Sequence, residues 1–139
     1  MSQSVAAVTY LRSTFEEALA LTRESRDYIA YQLPRDREPL EPAAQIAASC
    51  EAMRVTARLT QVMSWLLIQR AVEAGEIAPE VAAAPDNRLG GQDVCDPLEA
   101  ASLALDEVQD QALPPRLDEL LARSLTLYQR VARLDSQLT

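Results

Sequence analysis

The run from Glu51 to Gly75, EAMRVTARLTQVMSWLLIQRAVEAG, is apolar on more than one side. Val55, Leu59, Val62 and Leu66 recur at spacings of 4, 3 and 4, which is one helical stripe. Met53 and Leu67 lie on a second line through Ala57, Thr60 and Ser64. Trp65, Ile68 and Val72 make a third. A helix with one apolar side lies on a surface; one with several must be enclosed by neighbours or by another copy of itself. This segment is therefore expected to be the central helix, with the others packed onto it.

Its limits are punctuated. Pro42 is a favoured first-turn residue and Gly75 a natural C-cap, so the helix is predicted from about Pro42 to Ala74. Some 33 residues at ~1.5 Å each make a rod of roughly 50 Å. Ala43, Ala44, Ala47 and Ala48 permit close helix approach. A first helix is predicted to begin between Ser4 and Thr14, with Ser13 and Glu16 as a possible capping box, and to end at Leu33 before Pro34. Its expected inner face is Val8, Leu11, Phe15, Leu19, Thr22, Ile29 and Leu33. PRDREPLEP is a charged connector.

After Gly75, IAPEVAAA can form a short helix, and PDNRLGGQDVCDP reads as loop. Residues 97–112 suggest an amphipathic helical segment with Asp96 as its N-cap. Pro114 and Pro115 open the last helix, whose Leu117, Leu120, Ser124, Leu127, Val131, Leu134 and Leu138 follow a 3,4 heptad spacing. No strand alternation and no internal repeat is present. The fold class expected is all-α, a three-helix up-down-up bundle in one domain over 1–139, with an irregular connector at about 76–97. So small a bundle leaves the central helix incompletely covered, which argues for a homodimer.

Composition excludes several function classes. With 13 Arg, no Lys and 21 acidic residues the net charge is -8, which argues against nucleic acid as a partner. There is no His, the commonest general base at neutral pH. Two isolated cysteines without His make no usual zinc site, and a reducing cytoplasm is the expected location. Cys50 is expected as a small apolar filler inside its helix, and Cys95 as a loop thiol open to solvent. No signal peptide is expected, and the apolar run around Trp65, interrupted by Arg58 and Arg70, is too short to span a membrane.

GxSxG, P-loop, GxGxxG and EF-hand patterns are missing, and no cofactor is expected. The Gly90-Gly91 pair is read as a plain turn. Glu16-Glu17, Glu51, Glu73 and Glu76 form no Glu-x-x-His pair, so they read as solvated surface. Arg54 and Arg58 share a helix face on which Glu51 can pair with Arg54. They are either a salt-bridged edge or a docking face for an acidic partner. Trp65 is either a core anchor or an interface hot spot. The partner-binding candidates are Arg54, Arg58, Trp65, Gln69 and Arg70. A DNA-associated regulator, a small helical scaffold and a carboxylate-based enzyme remain as alternatives of other classes.

The segment EAMRVTARLTQVMSWLLIQRAV resembles the regulator-of-CtrA-degradation family, small proteins of alphaproteobacteria. Trp65, Leu66, Leu67, Gln69, Arg70, Ala71 and Val72 stand in the family's order. STFEEALALTRESRDY resembles its first helix and LPPRLDELLARSLTLYQRVARLD its last. The connector departs, being Pro-rich where the family has a Gly-Arg and Ser-Lys segment. The resemblance implies a dimeric three-helix bundle that acts as an adaptor, with protein partners. It would help deliver substrates to the ClpXP protease together with a primed response-regulator-like protein.

Overall fold

The computed structural model describes residues 5–96 and 112–138. Three long helical segments carry the fold. Helix α1 spans Val5–Asp27 and continues through a π-helical turn, Tyr28–Gln32, into α2, Leu33–Arg37. Helix α3 spans Pro42–Glu73 and packs against both α1 and the last helix. Short helices α4, Pro79–Ala82, and α5, Gln92–Cys95, flank a 3-10 turn at Pro85–Asn87. Helix α6 spans Pro115–Ser136. This is the expected all-α, up-down-up bundle, and the described residues contain no strand.

Pro34 does not end the first helix. In a regular α-helix its ring would meet the carbonyl four residues back, and it has no N–H to donate. The π turn widens the helix just before it: the N–H of Leu33 donates to the carbonyl of Tyr28, five residues back. The chain then runs on to Arg37. Asp36 braces the turn, accepting hydrogen bonds from the Tyr28 hydroxyl at 2.8 Å and the Gln32 amide at 2.9 Å. Ser13 and Glu16 lie within α1, so they are no start of it.

Leu33 is buried as expected, but the inner face along α1 itself is shifted from the expected one. Thr14, Ala18, Leu21, Ser25 and Tyr28 are buried, while Leu11, Phe15 and Ile29 flank them half-buried. Thr14 returns its hydroxyl to the carbonyl of Tyr10. Thr14, Ala18 and Ser25 on this line are small, which lets the backbones approach, and Leu11, Phe15 and Ile29 close its edges.

Helix α3 keeps both of its predicted limits. Pro42 stands in the first turn, and Gly75 follows the C-cap with φ +77°, the left-handed conformation a glycine adopts without strain. Val55, Leu59, Val62 and Leu66 are buried, as is Trp65. On α6, Leu117, Leu120, Ser124, Leu127 and Val131 face them. Each fully buried Leu contributes about 1.5–3 kcal/mol relative to exposure. The heptad line does not hold to the end of α6. A straight helix drifts against a strict seven-residue repeat. Asp135 takes the inward position, and Leu134 and Leu138 are only partly covered.

Glu24 bridges Arg116 and Arg123, and Glu17 meets Arg130, tying α1 to α6 at the surface. Exposed pairs of this kind contribute roughly 0–1 kcal/mol each. The amphipathic segment expected over 97–112 lies outside the described residues except for Ala112, which is not helical.

Candidate functional site

Residues 85–95 cross the groove between α3 and α6 as a strap, held by polar contacts from both helices. Arg88 donates to the Asp135 carboxylate at 2.7 Å and to its backbone carbonyl at 2.8 Å. The Tyr128 hydroxyl donates to the carbonyl of Gly90 at 2.8 Å, and the N–H of Gly90 donates to Gln61 Oε1 at 3.1 Å. Gly91 adopts φ +79°, and a Cβ there would come within 3.2 Å of both Cys95 Sγ and Gln61 Cγ. The Gly-Gly pair is thus a close-packed element of the strap rather than a free turn.

Arg58 anchors the far end. It is 3% exposed, not part of an outward docking face. Its Nε donates to the Cys95 carbonyl at 3.0 Å, and Nη1 donates to the Leu121 carbonyl at 3.0 Å and Ser124 Oγ at 3.2 Å. Burial, then the neighbouring Arg54, lower its pKa. Arg54 lies at the rim, paired with Glu51 and donating to the Val94 carbonyl at 3.0 Å. The two arginines share a face, as their spacing predicts, but they read the backbone of the strap.

Trp65 is 3% exposed, and its indole N–H donates to Asp135 at 2.9 Å, the same carboxylate that holds Arg88. Gln69 is buried one turn further, its amide nitrogen without a hydrogen-bond partner among the described residues. Arg70 is exposed and lies over the Phe15 ring, 4.4 Å from its centroid, a cation–π contact. The five candidates therefore divide. Arg58, Trp65 and Gln69 are interior, Arg54 is at a rim, and Arg70 is on the surface.

The cysteines exchange their expected places. Cys95 is buried beneath the strap and Cys50 is exposed. Burial raises the Cys95 thiol pKa and so favours the neutral form, against a smaller opposing pull from Arg58. Among the described residues no group of three or more His, Cys, Asp or Glu gathers to hold a metal. No helix among them is long and apolar enough to cross a membrane.

Sequence reasoning missed Arg88, Asp135, Gln61 and Tyr128. The signal for Asp135 was its place one helical turn after Val131, on the inward line.

The second apolar line of α3 is not enclosed. Met53 is 70% and Leu67 52% exposed, and Thr60 and Ser64 between them also face outward. Beside this line, two hollows of about 460 and 580 Å³ follow one another between α3 and the α1–α2 rod. They meet at Ile29 and Thr56, which line both.

An all-α bundle with a polar strap over one groove and an open apolar groove on its other side is the class of protein these features define. The chain belongs to the family described as a protein of unknown function, DUF1465, whose model matches residues 2–139. It is similar to RcdA from Caulobacter crescentus, a solved structure, at 36% identity. The match covers 92% of this chain and 89% of that one, with a TM-score of 0.71. The resemblance carried by Glu51–Val72 is thereby borne out. A comparison with curated proteins gives no match.

Proposed function

We propose that this protein is a non-enzymatic adaptor in regulated proteolysis, acting in the cytoplasm as a homodimer. It delivers substrates to the ClpXP protease with a primed response-regulator-like protein. The observation that carries the reading is the likeness to RcdA, 36% identity over 92% of the chain, together with the nearly unbroken family segment Glu51–Val72. The open groove beside α3 supports it, since an adaptor needs apolar surface left free in the folded state. In this reading Arg70 and the rim residue Arg54 contribute to a partner surface. Arg58, Trp65 and Gln69 support that surface from within the bundle.

Reconstituted degradation tests the reading. Purified unfoldase, peptidase, primer protein and a candidate substrate are mixed with and without this protein. Faster substrate loss in its presence is the expected result. Unchanged degradation, with no retention of unfoldase, primer or substrate on the immobilised protein, would overturn it.

A further inference from the structure

The strap over residues 85–95 is fastened to the bundle through side chains. Arg88 reaches the carboxylate and the carbonyl of Asp135. Gln61 accepts from the N–H of Gly90, and Tyr128 donates to its carbonyl. Arg54 and Arg58 donate to the carbonyls of Val94 and Cys95. The backbone-to-backbone hydrogen bonds of the strap are local, from Arg88 to Pro85 and from Val94 and Cys95 to Gly91. Lifting it therefore breaks side-chain contacts and leaves the hydrogen-bond ladders of α3 and α6 whole. Of its residues only Leu89 and Cys95 are buried. A segment with so few buried apolar side chains belongs to the low end of local stability.

The fastenings are unequal. Arg58 also donates to the Leu121 carbonyl and Ser124 Oγ, so it is held by α6 whether or not the strap is in place. Arg88 belongs to the strap itself, and its side chain and that of Asp135 are 23% and 13% exposed. Water reaches this pair and competes for it. When Arg88 leaves, the Asp135 carboxylate keeps the Trp65 N–H as a donor, so its release strands no bare carboxylate. Two residues on from Leu89, the strap lies directly over the Cys95 thiol: a Cβ on Gly91 would stand 3.2 Å from Sγ. The buried sulfur is thus covered by the backbone that Arg88, Gln61 and Tyr128 hold down.

We propose that the strap is a latch, opening and closing as a unit over the α3–α6 groove while the bundle stays folded, with Arg88 on Asp135 as its catch. Opening uncovers Arg58, Gln61 and Tyr128, which hydrogen-bond backbone groups of the strap, together with the Cys95 thiol. The latch goes beyond the adaptor reading and does not depend on it. A strap that never opens alone leaves that reading intact, and failure of the adaptor assay leaves the latch intact.

Thiol labelling of Cys95 with an aromatic disulfide reagent tests this, in the full chain carrying Cys50→Ser so that the exposed thiol does not react. The labelling rate is followed against urea, beside global unfolding followed by circular dichroism. At low urea the labelling rate should be nearly flat, because opening the strap exposes little surface, whereas global unfolding depends steeply on urea. Arg88→Met should raise the low-urea labelling rate at least about tenfold, the scale of a lost charge-assisted hydrogen bond. The global unfolding constant should change by a smaller factor. Arg130→Met, which removes a surface pair between α6 and α1 away from the strap, should leave low-urea labelling at the wild-type rate. Labelling of the parent chain with the full urea dependence of global unfolding would overturn the latch, and this measurement decides the matter even where the Arg88 variant does not fold. So would an Arg88→Met variant in which labelling and global unfolding change by the same factor, since the strap would then open only with the bundle.

Discussion

Trp65 on α3 and Asp135 on α6 are joined by a hydrogen bond of 2.9 Å between residues 70 positions apart. The same carboxylate holds Arg88 of the strap. One acid thus couples the packing of α3 against α6 to the position of the connector between them. A buried indole whose N–H is satisfied contributes its large apolar area without leaving a donor unpaired.

Trp65→Ala is expected to cost on the order of 3–5 kcal/mol, as for other large aromatic truncations in a core, which is enough to unfold a marginal domain. Trp65→Phe keeps most of the ring and loses the N–H donor, so about 1–2 kcal/mol is expected. Thermal melting of both variants, with sedimentation of each, checks this. An unchanged melting profile in Trp65→Ala with lost self-association would show an interface role instead.

Arg58→Ala should destabilise by about 3 kcal/mol or more. It removes a buried cation and leaves the carbonyls of Cys95 and Leu121 without that donor. The first local effect should be release of the strap. Amide exchange of residues 90–95 should quicken in this variant more than exchange within α6. Equal loss of protection across the whole chain would show that the strap has no independence from the bundle.

What the sequence disclosed, and what it did not, follows from the range of the interactions. The limits of α3 were legible because Pro42 and Gly75 act locally. The opening of α6 was legible from Pro114 and Pro115 for the same reason. The continuation of the first helix beyond Leu33 was not, because a proline stops an α-helix but is accommodated by a π turn, and nothing local chose between them. Arg58 looked like a surface residue because its acceptors lie 37 and 63 positions away. The cysteines were misplaced likewise: helix or loop says little about burial until neighbours are known. Cys50 lies on the open side of α3, and Cys95 lies under the strap.

Gly91→Ala should lower stability by about 1–2 kcal/mol. Its φ of +79° is strained for any residue with a Cβ, and the new atom would stand 3.2 Å from both Cys95 Sγ and Gln61 Cγ. Gly75→Ala shares the positive φ but has nothing within 4 Å of the added carbon. The difference between the two variants isolates packing of the strap from backbone strain. Denaturant unfolding of the pair is the measurement, and a Gly75 variant as costly as the Gly91 variant would remove the packing contribution.

Stability should fall at both ends of the pH scale, for different groups. Hydrogen bonding to Arg123 holds the Glu24 carboxylate below its usual pKa of 4.5, with Arg116 adding to it against some desolvation. A depressed acid contributes stability that is present above the unfolded value and lost as pH falls through the lower folded one, so this contribution fades below about pH 4.5. At the alkaline end, burial pushes Tyr128 up from 10 to about 12, and Tyr28 is raised by burial and by Asp36. A raised tyrosine stays neutral in the folded state while the unfolded chain ionises. Its contribution is therefore complete below pH 10 and declines between about pH 10 and 12. Melting temperatures measured from pH 3 to 12 should show a plateau with both declines. Arg123→Met should flatten the acid side, and Tyr128→Phe should flatten the alkaline side while lowering the plateau through the lost bond to Gly90. An alkaline decline of the same size in Tyr128→Phe would assign it to other groups.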